Sequence, residues 1–201
     1  MKERPILMSG PLVVATLEDR KTKTRRVVVP QPPRQLFGVD QNDFNTWVLA
    51  SRDNPDEPDW SFSVRCPYGR VGDRLWVRET HAIVPATAYR ASVGVQQTID
   101  PTDPDHAAIY RAGWDRSSPG TRWRPSIHMP RWASRLTLTI TDVQVERVQE
   151  ITPADKEAEG LNEDQGYGPA AFESLWNQIN GKRGYSWESN PWVWVISYTR
   201  V

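Results

Sequence analysis

A single cysteine, Cys66, cannot form an internal disulfide, so a reducing compartment, the cytosol, is expected. No run approaches the roughly 18–20 apolar residues that span a bilayer, and the opening Met1-Lys2-Glu3-Arg4-Pro5 leads into no stretch of signal-peptide length, so no membrane partner is expected. The 3 histidines, His81, His106 and His128, lie far apart beside that one thiol, which leaves no zinc-ligand spacing and no metal site. No G-x-x-x-x-G-K-[ST] loop is present, no G-x-G-x-x-G follows a strand, and no G-x-S-x-G elbow occurs. Together these absences set aside disulfide scaffolds, membrane proteins, P-loop and dinucleotide-binding enzymes, and the α/β-hydrolase nucleophile. A net charge of zero points to no partner class.

Lysine is scarce too, with 5 against 20 arginines, and arginine offers a planar fork suited to phosphates, carboxylates and aromatic rings. The 201 residues, 38% hydrophobic and 25% charged, fit one globular domain carrying long insertions. The 10 tryptophans read first as a large aromatic core. Charge is uneven along the chain. Residues 1–36 hold 8 basic against 3 acidic groups and residues 111–135 hold 6 against 1, whereas 37–63 hold 1 against 6 and 136–201 hold 5 against 10. The two basic segments either converge into a footprint for phosphate or nucleic acid, or pair with the acidic segments across the surface.

Local patterns place the elements. Residues 5–9 form a first strand, and Ser9 or Gly10 then caps a helix with Pro11 in its first turn, burying Leu12, Val13, Thr16 and Leu17. Val27 to Val29 resume a strand. Residues 30–63, with five prolines and six acids, read as a surface insertion. Arg74 to Glu79 alternate as a strand, and 85–126 form a second insertion with a strand near Ala107–Arg111. In the strand from Leu136 to Val145 the apolar parity slips, which predicts a bulge near Thr141–Asp142. Thr152-Pro153-Ala154-Asp155 starts a helix that stops at Gly160. Another helix over 169–180 buries Phe172, Leu175, Trp176 and Ile179, and Trp192 to Val201, apolar on both faces, reads as a central strand. This order predicts an α+β fold: a small curved sheet or barrel with helices at its ends.

Chemistry concentrates in Arg20-Lys21-Thr22-Lys23-Thr24-Arg25-Arg26, five cations in seven residues. A lysine crowded by positive charge or partly desolvated loses its proton more easily and can act as a base, and a nearby hydroxyl then becomes a nucleophile. On one strand Lys21 and Thr24 would face opposite ways; a turn between them would bring both into one cleft. The other reading is a solvated basic turn. Glu79 beside Arg78 reads as a strand ion pair or an alternative acid.

Residues 18–26 resemble the G-R-K-T-x-T-x-R signature of the ASCH family, whose fold is similar to PUA-type RNA-binding barrels. Val71 to Val77 resemble that family's strand entry, Ile151 to Leu161 its helix ending in an acid, and Trp192 to Val201 its closing strand. The chain as a whole looks like a larger subgroup carried by bacteriophages and prophages. Asp19 stands where the family usually has Gly, and Asp tolerates unusual backbone angles better than most residues. The resemblance implies a PUA-like β-barrel and an amidohydrolase that deacylates N4-acetylcytidine-type substrates without a cofactor. It places the catalytic groups on Lys21, Thr24 and Glu159, with Glu157 and Glu163 close by and Gly160-Leu161 favouring Glu159. Arg26, or backbone N–H groups of 21–26, would stabilise the oxyanion. His128, Arg131 and Trp132 are the candidates for gripping a pyrimidine, or else a packed Trp beside a surface Arg. The implied partner is a nucleoside or nucleobase; the rival expectation is a non-catalytic or nuclease-type RNA-binding module.

Overall fold

The computed structural model describes residues 1–32, 36–41, 46–51, 62–117, 120–161 and 171–201. Its strands are β1 (Glu3–Leu7), β2 (Lys23–Val27), β3 (Leu36–Gln41), β4 (Thr46–Ser51), β5 (Phe62–Arg65), β6 (Arg74–Arg78), β7 (His81–Pro85), β8 (Thr98–Ile99), β9 (His106–Tyr110), β10 (Thr137–Arg147) and β11 (Trp192–Arg200). The helices are α1 (Gly10–Leu17), α2 (Pro153–Ala158) and α3 (Ala171–Asn180). The fold is α+β, as the element order predicts.

Strand β11 organises the main sheet, whose order is β1-β6-β10-β11-β2. Its composition explains its place. Trp192, Trp194, Ile196 and Tyr198 point into one core with Ile6, Leu75, Leu138 and Ile140, while Val193 and Val195 point into a second core under Phe172 and Trp176 of α3. A strand buried on both faces needs a neighbour on each edge, and β10 and β2 supply them. The β10–β11 register slips between Ile140 and Asp142, at the predicted bulge, and Val143 and Val145 return to the first core beyond it. Among the described residues the strands close no barrel. The sheet curls nonetheless: Arg26 on one edge strand, β2, donates from Nη2 to the carbonyl of Leu7 on the other, β1 (2.8 Å).

Several expectations change. The strand placed at Val27–Val29 starts instead at Lys23, inside the basic motif, because Val193–Ser197 of β11 pair with Val27–Lys23; this long-range pairing outweighs the motif's polar character. The turn is made earlier, at Glu18-Asp19, where Asp19 adopts φ 56°. The first insertion is not plain loop: β3, β4 and β5 form their own antiparallel sheet, with part of the stretch outside the described residues. The second carries β8 and β9, paired with β7. Helix α2 has the predicted capping box, Asp155 N–H donating to Thr152 Oγ1 (3.1 Å) and Thr152 N–H to Asp155 Oδ2 (3.4 Å). Of the apolar stripe expected on α3, Phe172 and Trp176 are buried, but Ile179 is half exposed because it lines a cleft. The tryptophans divide: Trp176, Trp192 and Trp194 are core, while Trp76, Trp114 and Trp123 are half-buried under arginines. No helix among the described residues is long and apolar enough to cross a membrane.

Candidate active site

The site begins where the chain leaves α1. The amides of Arg20 and Lys21 both donate to the Ala15 carbonyl (2.9 and 3.0 Å), which turns the backbone so that Lys21 bridges Glu159 and Thr22 N–H reaches the Ala158 carbonyl (2.8 Å). The C-terminal end of α2 is thereby docked on the basic motif. Gly160, at φ 84°, follows immediately and packs against Ala15 and Lys21.

Lys21 is completely buried. Its Nζ donates to Glu159 Oε2 (2.6 Å), to the Glu159 carbonyl (3.0 Å) and to the Lys23 carbonyl (2.7 Å), so three acceptors meet its three donor positions. Burial pulls its pKa down from the ordinary lysine value, the Glu159 carboxylate opposes that, and the charges of Arg26 and Arg25 reinforce it. Desolvation is thus the leading cause and cationic crowding the lesser one. Thr24, also fully buried, is paired with Ile196, so its side chain faces the first core. Its Oγ1 accepts from Arg26 Nη1 (2.8 Å), and no hydrogen bond joins it to Lys21. Glu157 is exposed, which leaves Glu159 as the acid on Lys21; Glu163 lies outside the described residues.

Sequence reasoning missed Arg25. It pairs with Val195 and so faces away from Thr24, toward α2. Its guanidinium donates to Glu146 Oε1 (2.6 and 3.0 Å), Asp155 Oδ2 (3.0 Å) and Glu159 Oε1 (3.4 Å). The two oxygens of Glu159 are therefore held by different cations, Lys21 and Arg25. Lys23 adds a contact to Asp155 Oδ1 (2.6 Å). The only signal for this in the sequence is strand alternation: once β2 starts at Lys23, residues 23 and 25 must share the face opposite Thr24 and Arg26.

Asp155 caps α2 and anchors it to β2 at once. Burial alone would raise its carboxyl, but hydrogen bonds from Lys23 and Thr152 and the charge of Arg25 outweigh burial and hold it at about 2. Because the folded value lies below the ordinary 3.8, the stabilisation is present above about pH 4 and is lost as pH falls toward about 2. Thermal unfolding followed from pH 5 to about pH 2 should show this loss in the parent and a flatter acid limb in Asp155→Asn.

A cleft of about 800 Å³ opens between the two edge strands. Met8, Leu12 and Tyr68 give it an apolar inner wall, Leu175 and Ile179 of α3 an outer one, and Arg26 and Glu159 line it as well. Lys21 and Thr24 are buried and are not part of this lining, although their partners Glu159 and Arg26 are. The other candidates are elsewhere. Trp132 packs with Tyr110, Met129 and Ala133, Arg131 pairs with Glu3 (3.0 Å) and sits over Trp76, and His128 is exposed. None of these three lines the cleft, because the two short 3-10 turns carrying them pack on β9 and β1; Ser126, at the start of the first turn, is the residue of that region that does reach it.

Glu79 is paired with Arg135 rather than Arg78, in a buried two-pronged contact (2.8 and 2.9 Å). Burial raises its carboxyl and Arg135 counters. Some cations of the basic segments pair with carboxylates: Arg4 with Asp73, Lys23 with Asp155, Arg25 with Glu146, Arg131 with Glu3, Arg135 with Glu79. No group of three or more His, Cys, Asp or Glu among the described residues converges as a metal site would require. No protein-family model, curated protein or solved structure matches this chain.

Proposed function

We propose that this chain is an ASCH-type amidohydrolase with a PUA-like fold, removing acyl groups from N4-acylated cytosine or cytidine. The observation that carries this reading is the Lys21–Glu159 pair, at 2.6 Å, whose lysine is completely buried and whose glutamate lines an open cleft, with Arg26 of the same lining donating to the buried hydroxyl of Thr24. A lysine with its pKa pulled down by burial has the makings of a general base, and a threonine becomes a nucleophile only with such a base beside it. The curl that brings β1 and β2 within one side chain of each other is compatible with a PUA-like topology.

The chemistry follows from the donors and acceptors in place. Thr24 Oγ1 accepts from Arg26, so its own proton remains to be given away. Neutral Lys21, turning from the Lys23 carbonyl, takes that proton while Oγ1 adds to the acyl carbon. Arg26, already on Oγ1, shifts its N–H to the developing oxyanion. The C–N bond then breaks, and the proton on Lys21 passes to the leaving N4 amine. Water, deprotonated by the same lysine, adds to the threonyl ester; as the bond from Oγ1 to the acyl carbon breaks, Lys21 returns that proton to Thr24 Oγ1 and the carboxylic acid is released. Glu159, held by Arg25, keeps the amine oriented throughout.

An RNA-binding module needs free surface cations. Five of the basic side chains outside the cleft are tied to carboxylates, and this weighs against the rival reading. Ultraviolet absorbance of N4-acetylcytidine incubated with the purified protein is the test, since loss of the acyl group changes the chromophore. The expected outcome is complete conversion to cytidine with a rate nearly constant over about 50–200 mM salt at pH 7. No spectral change, together with tight, salt-sensitive binding of a single-stranded RNA, would overturn the proposal in favour of its rival.

A further inference from the structure

Three arginines line the cleft without a carboxylate partner among the described residues: Arg26, Arg78 and Arg183. Arg26 donates to the Thr24 hydroxyl and to the carbonyls of Arg25 and Leu7. Arg78 donates from Nη2 to the Ile127 carbonyl, and Arg183 from Nη1 to Asn180 Oδ1 (3.4 Å). Each of these acceptors is neutral. The one acid in the lining, Glu159, is already taken by Lys21 and Arg25. Among the described residues the cleft therefore carries positive charge without a matching acid.

Arg78 is also prepared for a ligand. Its guanidinium lies over Trp76 (5.4 Å to the ring centre) and is pinned by Ile127, while its Nε is shut off from solvent without any acceptor. In the β1–β6 register its backbone stands opposite Leu7, the residue whose carbonyl Arg26 holds, and both arginines line the cleft. A preset planar fork suits the oxygens of a phosphate better than any neutral group. The volume, about 800 Å³, falls among small-molecule sites of about 300–1,000 Å³.

We infer that the cleft takes its acylated cytosine as a nucleoside monophosphate, with the phosphate on Arg78 and Arg183 at the mouth and the acyl end toward Arg26 and Thr24. The identity of the base rests on the function proposed above; the phosphate site rests on the guanidiniums of Arg78 and Arg183, which have no carboxylate partner among the described residues. A nucleic-acid strand would present the same chemistry. The single nucleotide is favoured because Arg4, Arg20, Lys23 and Arg131, cations outside the cleft lining that a longer strand could have used, are each bound to a carboxylate.

Two measurements separate this inference from the reading beneath it. Calorimetric titration with CMP and with cytidine reads the phosphate alone, and CMP is expected to bind at least about tenfold tighter at low salt, with the advantage shrinking as salt rises. Turnover of N4-acetylcytidine 5′-monophosphate against N4-acetylcytidine reads the chemistry, with the nucleotide favoured in kcat/KM by a similar factor. Arg78→Gln should cut both ratios severalfold. Arg183→Gln, at an exposed position where unfolding is not expected, should do the same and guards against a folding defect in the first variant. Equal binding of CMP and cytidine, or ratios unchanged in both variants, would overturn the phosphate site. A CMP preference without turnover of either acylated compound would uphold that site and overturn the deacylase reading. Faster turnover of an oligonucleotide carrying one N4-acetylcytidine would overturn the single-nucleotide assignment.

Discussion

Lys21→Ala and Thr24→Ala are each expected to lower the deacylation rate at least about a hundredfold, equivalent to about 2.7 kcal/mol of lost transition-state stabilisation. The two losses should not add, because base and nucleophile act as one unit. In the parent, kcat/KM should rise with pH as Lys21 loses its proton, and burial places that rise below the ordinary lysine value of 10.5. Glu159→Gln supplies the sharper check. The Glu159 carboxylate favours the ammonium form of Lys21, so its removal should move the rising limb to lower pH while kcat falls, since the amine loses its orienting partner. Exposed Glu157→Gln should leave both unchanged. Steady-state kinetics across pH, with unfolding temperatures to show that each variant is folded, decide the matter. Parent-like rates in Lys21→Ala and Thr24→Ala would end the assignment.

Gly160→Ala should destabilise the fold by about 2–4 kcal/mol, roughly 5–15 °C in unfolding temperature for a chain of this size. Two costs combine. The backbone at residue 160 has φ 84°, which an L side chain rarely adopts. A Cβ there would also lie 2.9 Å from the Ala15 Cβ and 3.1 Å from the Lys21 Cβ. Neither neighbour can swing aside, since each atom is fixed by its backbone in α1 and in the Lys21–Glu159 bridge. Activity should fall with stability because the elements pushed apart carry Lys21 and Glu159. Adding Ala15→Gly removes the closest contact, so the double variant should be less destabilised than the sum of the singles, although Ala15→Gly alone costs about 1 kcal/mol in a helix. Thermal unfolding of the four proteins reads this coupling, and a parent-like melting temperature for Gly160→Ala would refute the packing argument.

Legibility from sequence followed the range of the forces involved. The capping box at Thr152–Asp155, Pro11 in the first turn of α1, and the bulge near Thr141–Asp142 depend on residues a few positions apart, and the structure has all three. The register of β2 does not. Val27 to Val29 looked more strand-like than the charged motif before them, yet the motif pairs with β11 because that apolar strand needs a partner on its second edge. The strands within 36–65 escaped notice for a related reason: prolines and acids nearby masked short segments that only their mutual pairing stabilises. His128, Arg131 and Trp132 have side chains suited to gripping a base, whereas their position depends on where their turns pack.

By itself the sequence determined the α+β character, the central burial of β11 and the concentration of reactive groups at Lys21–Arg26, all consequences of side-chain periodicity and local backbone preference. Only the tertiary structure decided that Lys21 meets Glu159 across 138 residues, and that Arg25 turns away from Thr24 to hold the other oxygen of that carboxylate. It also decided that three arginines line one cleft without a carboxylate partner among the described residues. Alternation tells which residues share a face. Which faces meet, and which charges are thereby matched or left unmatched, depends on closing long loops, and no local pattern encodes that.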